Sequence, residues 1–121
     1  MDALARNVVD AGLKVHRTLG PGLFEAVYEH CLVRELGKRG LAAQRQVFLP
    51  VTYDGETLDA AYRLDILVED ALIIEIKAVD ALSRVHEAQI LTYLRLSGFR
   101  IGFLMNFNAP LFKDGLRRFV L

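Results

Sequence analysis

The sequence predicts an α/β domain in which a mixed β-sheet is flanked by helices, and three observations predict it. Two N-terminal stretches repeat apolar residues at helical spacing, three central stretches read as strands parted by short polar breaks, and a further helix precedes a last apolar strand. The order is α, α, β, β, β, α, β, with a short edge strand at the tail. Three meandering strands followed by a helical crossover make the sheet mixed.

Asp2 can cap a first helix running to about Thr18, with Leu4, Val8, Ala11, Val15 and Leu19 along one face. Gly20-Pro21-Gly22 stops it. A second helix runs from about Phe24 to Lys38 with Phe24, Val27, Cys31, Leu32 and Leu36 as its apolar positions, and Gly37 and Gly40 mark its end. Val47, Leu49, Val51 and Tyr53 alternate as a strand, and Asp54-Gly55 is a turn signal. The long second strand begins near Thr57 and the third holds Leu72 to Ala78. Ser83 can cap a helix to about Ser97, ended by Gly98. Arg100 to Phe107 reads as a strand, and Arg117 to Leu121 as the short final one.

The middle hairpin carries the chemistry. Arg63-Leu64-Asp65-Ile66-Leu67-Val68 and Leu72-Ile73-Ile74-Glu75-Ile76-Lys77-Ala78 are apolar runs interrupted by charge. Charges in such runs are rarely buried unless they are paired or bind a metal. Glu69-Asp70-Ala71 is the only polar break between the runs, and a loop of those three residues sets Val68 against Leu72 and Asp65 against Glu75. One face is then Leu64, Ile66, Val68, Leu72, Ile74 and Ile76; the other is Arg63, Asp65, Leu67, Ile73, Glu75 and Lys77. A two-residue loop would mix Glu75 and Lys77 into the apolar face, so burial selects the longer one. Opposed residues lie roughly 4.5–5.5 Å apart at Cβ, a span one hard cation can bridge. Without a cation, facing carboxylates repel and tend to hold a proton. Two carboxylates and a lysine so placed are the equipment of a divalent-metal site that cuts phosphodiesters.

The bulk numbers bound the rest. A chain of 121 residues, 53% hydrophobic and 25% charged, makes one globular domain, 1–121. No apolar stretch reaches the roughly 18 residues of a membrane span, and the N-terminus lacks a signal-peptide core. The single cysteine, Cys31, fits a reducing cytoplasm and packs as a small apolar residue. Fifteen basic and fifteen acidic residues give zero net charge, which counts against a strong nonspecific nucleic-acid binder. The local clusters Arg34, Lys38, Arg39 and Lys113, Arg117, Arg118 read as solvated faces. There is no Cys/His cluster for zinc, no phosphate-cradling glycine loop and no G-x-S-x-G nucleophile.

An aspartate on one strand followed by acidic-x-lysine on the next resembles the PD-(D/E)XK nuclease superfamily. More narrowly, Gly22-Leu23-Phe24-Glu25-Ala26-Val27-Tyr28 matches the signature of the GxxExxY protein family. The resemblance runs nearly the whole chain, through Leu19-Gly20-Pro21-Gly22, Arg63-Leu64-Asp65, Glu75-Ile76-Lys77, His86-Glu87-Ala88-Gln89 and Asn106-Phe107-Asn108. Leu64 stands where the superfamily's name has proline, a variable position.

The resemblance implies a restriction-endonuclease-like fold and a Mg²⁺-dependent hydrolase that cleaves nucleic acid with a metal-activated water, DNA favoured over RNA, leaving 5′-phosphate and 3′-hydroxyl ends. By the same resemblance Asp65, Glu75 and the carbonyl of Ile76 hold Mg²⁺, with Mn²⁺ as a substitute, in keeping with the oxygen preference of hard cations. Lys77 orients the attacking water and steadies phosphorane charge. Glu25 is a further acidic member of the catalytic set; by helical spacing alone it would face solvent. Gln89 and Tyr93, one turn apart after the lysine strand, line the cleft and contact substrate, Gln89 also serving the catalytic set, while Tyr93 and Tyr28 also fit core packing. His86 shares their helix face, and lone histidines are weak signals. The rival readings are a silent regulatory module on the same fold and an enzyme acting on a small nucleotide. A homodimer would double the small footprint.

Overall fold

The computed structural model describes residues 2–121. The elements run α1 (Asp2–Leu19), α2 (Glu25–Lys38), β1 (Ala43–Tyr53), β2 (Glu56–Val68), β3 (Leu72–Lys77), α3 (Arg84–Ser97), β4 (Ile101–Asn106), a 3-10 turn (Phe112–Gly115) and β5 (Leu116–Val120). The five strands form one sheet in sequence order. β3 and β4 are parallel, joined by the α3 crossover, and every other neighbouring pair is antiparallel. The sheet is mixed, as the sequence predicts.

Local signals set the element ends. Ser83 caps α3 and trades hydrogen bonds with His86, whose Nδ1 accepts from the Ser83 N–H. Gly98 closes the helix in the left-handed conformation. Asp54 and Gly55 both have positive φ, which makes the β1–β2 connection a two-residue turn whose twist suits a hairpin. The β2–β3 connection is the three-residue loop Glu69, Asp70 and Ala71, with Val68 opposite Leu72.

The core has two sides. α1 and α2 cover one face, where Val8, Ala11, Tyr28, Leu32 and Leu36 meet Ile66, Val68, Ile74, Ile76 and Phe103. α3 covers the other through Leu94, packed with Leu64, Leu67 and Ile73. Gly102 permits this close approach: a Cβ there would stand 3.0 Å from Ile90 Cδ1.

Three expectations are corrected. Phe24 and Val27 are exposed, not core, whereas Leu32 and Leu36 are buried as expected and Tyr28 joins them. Phe24 precedes the first helical turn as its N-cap, outside the face that Tyr28, Leu32 and Leu36 bury. Leu64 packs with Leu67 and Ile73 rather than with Ile66 and Val68. Strict alternation therefore fails at Asp65. The cationic residues Lys38 and Arg39 are not merely solvated: both reach Glu35, and Arg39 also grips Asp10 at 2.8 Å, tying α2 to α1.

Candidate active site

The regular β2–β3 ladder ends at Ile66 and Ile74. At the next position side chains replace the backbone pairing. The Asp65 N–H donates to Glu75 Oε1 at 3.3 Å, and the Ile76 N–H donates to Asp65 Oδ2 at 2.8 Å. The two carboxylates thus stand side by side at the mouth of the hairpin.

Glu75 is only 3% exposed. Burial, then the neighbouring Asp65 charge, push its carboxyl up to about 9, while Lys77 pulls it partly back. Lys77 is half-buried at the end of β3, and among the described residues it makes no ion pair. The pair is rich in acceptors and short of donors, with main-chain N–H groups as its hydrogen-bonding partners. This donor set fits a hard divalent cation. Among the described residues no three His, Cys, Asp or Glu side chains converge as a metal cluster. Any cation held here takes two carboxylates and completes its shell with main-chain carbonyl or water oxygen.

Glu25 enters from the first turn of α2. It is exposed, yet its Oε2 accepts from the Ala78 N–H at 3.1 Å, one residue beyond Lys77. The loop before it is fixed at three points. The Tyr28 hydroxyl donates to Gly20 O at 2.6 Å and accepts from the Leu23 N–H, while Asn108 Oδ1 accepts from the Gly22 N–H. Tyr28 also stacks on Phe107 with ring centroids 4.7 Å apart. Gly22, Glu25 and Tyr28 are therefore one device: the tyrosine sets the loop that starts the helix that carries the glutamate. A cleft of about 250 Å³ joins Glu25 to Asp65 and Ile76. A larger hollow of about 560 Å³ lies between α1 and the β4–β5 edge, but its acids Asp2 and Asp10 are exposed and no residue of β2 or β3 lines it.

Gln89 is exposed on α3 and lies beside the Tyr93 hydroxyl. Tyr93 stacks on Tyr62 at 4.9 Å, and burial, followed by the Glu75 charge, raises its pKa. Tyr93 stands near enough to the carboxylate pair to feel both charges, and Gln89 neighbours it on α3. His86, by contrast, is occupied as a helix cap.

Three cleft residues escape sequence reasoning: Glu29, Gln46 and Arg63 in a functional role. Glu29 is buried and bonded by Arg45 at 3.0 Å and by the Gln46 amide. Its position one turn after Glu25, on the same helix face, is the signal that could have found it. Asn106 at the end of β4 clasps Val79 through both its amide atoms, which holds the chain just after Lys77 against β4.

Neither the curated proteins nor the solved structures yield a match to this chain. A family model describing the PD-(D/E)XK nuclease superfamily matches residues 2–119. The matched span takes in all three helices and, but for the last residue of β5, all five strands, an arrangement consistent with a restriction-endonuclease-like fold. With the paired acids, the lysine two residues on and the sheet that presents them, this chain belongs to the PD-(D/E)XK nuclease superfamily.

Proposed function

We propose that this protein is a Mg²⁺-dependent nuclease that hydrolyses phosphodiester bonds in nucleic acid, DNA in preference to RNA. The observation that carries the reading is the buried Glu75 carboxyl facing Asp65 with Lys77 two residues along the same strand. Asp65, Glu75 and the Ile76 carbonyl would hold the cation, and Mn²⁺ would serve in its place. When bound, a hard divalent ion supplies charge neutralisation at phosphorus and acidifies water.

The chain's own residues do the rest. The Ile76 N–H fixes the Asp65 carboxylate so that little reorganisation is needed on loading. Lys77 places an ammonium where the attacking water and the phosphorane oxygens gather. Glu25, anchored on the Ala78 N–H, orients a water or the lysine from the opposite wall. Gln89 donates to a phosphate oxygen and Tyr93 flanks the backbone. A second reading, a silent regulatory module, is favoured by the zero net charge.

The test is to offer purified protein Mg²⁺ or Mn²⁺ with single-stranded, duplex and branched DNA, with RNA and with free nucleotides. Cleavage that disappears with chelator and with Lys77→Ala supports the nuclease. Tight binding with no cleavage of any substrate supports the module, and turnover of free nucleotides alone would replace the polymer as substrate.

A further inference from the structure

Gln46 is a non-glycine residue at φ 52° in the middle of β1. The left-handed region is unfavourable for an ordinary side chain and for a strand. The β1–β2 pairing runs Ala43↔Val68, Gln44↔Leu67 and Arg45↔Ile66, then resumes at Val47↔Leu64 with the register unchanged; the missing pair is Gln46 and Asp65. Both strands change sides there. Ala43, Ile66 and Val68 pack beneath α1 and α2, whereas Val47, Leu49, Tyr62 and Leu64 pack on the α3 side. An unbroken strand would keep Ala43, Val47 and Leu49 on one face. The hairpin is turned over at one point, and Asp65 sits on that point.

The side chain is locked as well. Glu29 can only accept, so the amide nitrogen of Gln46 must face it, and the bond is made. The covered Oε1 meets no donor. A strained backbone and an unmet acceptor side by side mark a geometry held by its surroundings for a purpose other than local stability.

We propose that Gln46 is a positioning residue for Asp65: its left-handed backbone turns the hairpin over and takes Asp65 out of the β1 ladder. Asp65, unpaired with β1, bonds Glu75 and Ile76 instead. The inference rests on the reading of Asp65 and Glu75 as the cation pair, and the test separates the two.

Gln46→Gly keeps the left-handed backbone open, and Gln46→Val opposes it because a β-branched side chain tolerates positive φ poorly. Mn²⁺ binding is measured by calorimetry at a temperature where every variant is folded, with Val8→Ala in α1 as a destabilised control remote from the cleft. Gln46→Gly should bind within about threefold of wild type, since glycine adopts the conformation freely. Gln46→Val should bind about ten- to a hundredfold more weakly, the usual scale for residues that orient ligands, while Val8→Ala should bind normally. In metal-free protein, hydrogen exchange at the Asp65 amide should stay slow in Gln46→Gly and quicken in Gln46→Val. If Gln46→Val does not fold, Gln46→Ala takes its place with a milder version of the same contrast. Wild-type binding retained in Gln46→Val with an unchanged Asp65 amide would overturn the inference, and so would equal losses in the glycine and valine variants. If wild type takes up no Mn²⁺, the cation reading fails and the amide measurement alone decides the role of Gln46.

Discussion

Asp65 and Glu75 each satisfy the other's strand: the Asp65 N–H bonds Glu75 Oε1, and Asp65 Oδ2 takes the N–H of Ile76, the residue after Glu75. The exchange closes the hairpin where its ladder ends, and it forces two acids together inside the sheet.

The first prediction concerns pH. The Glu75 carboxyl is raised from 4.5 to about 9, so the neutral form is the one the fold prefers. Its contribution to stability is full below about pH 4.5 and is lost as pH rises toward about 9. Glu75→Gln should therefore gain on metal-free wild type progressively across that window. Urea unfolding at several pH values measures it; a constant difference from pH 5 to 9 would show that Glu75 titrates normally.

Lys77→Ala should lower cleavage by about 10²–10³, the usual loss for one preorganised charge-stabilising group. Binding of Ca²⁺ should persist in this variant. Asp65→Asn should instead weaken cation binding, with partial recovery in excess Mn²⁺. Single-turnover cleavage alongside calorimetry separates the two behaviours. Equal activity in wild type and Lys77→Ala would assign the cleavage to another site or a contaminant.

Tyr28→Phe keeps the stack on Phe107 and removes the hydroxyl that joins Gly20 to Leu23. The expected stability loss is about 1 kcal/mol. The larger effect should fall on activity through Glu25, whose helix starts at that loop. A double-mutant cycle with Glu25→Gln reads it: strong coupling supports the relay, and simple additivity removes it.

Gly115→Ala should destabilise more than its size implies. A Cβ there would collide with the main-chain oxygen of Asn106, and backbone cannot swing aside as a side chain can. The expected cost is about 1–3 kcal/mol or more. The collision also falls on the strand end that clasps Val79, so thermal unfolding and activity should drop together.

Much of this arrangement is legible in the sequence because burial leaves few options. Leu72 to Ile76 and Ile66 to Val68 are apolar enough that only the three-residue loop at 69–71 buries them, and that loop is present. Asp65 and Glu75 follow from the same register. The reversal of Leu64 is not legible, because glutamine carries no signal for a left-handed backbone as glycine or asparagine would. Phe24 reads as core by hydrophobicity alone, and its 84% exposure follows from a helix that begins after it. Glu29 was hidden because its partners, Arg45 and Gln46, come from another element.

The strand order also sets a sequence of events in time. β1 and β2 meet through a two-residue turn, a contact between near neighbours that forms in microseconds. β3 meets β4 only after the chain has travelled through α3, and non-local parallel pairing is slow. Asp65 therefore belongs to the early hairpin, while Lys77 is fixed only when β4 and Asn106 arrive. Substitutions near the Asp54-Gly55 turn should slow folding, and substitutions in β4 should chiefly hasten unfolding, as stopped-flow chevrons of the two sets would reveal. The chain would then hold Asp65 before Glu75 and Lys77, which share β3, are fixed, with the complete set appearing only as the last strands close.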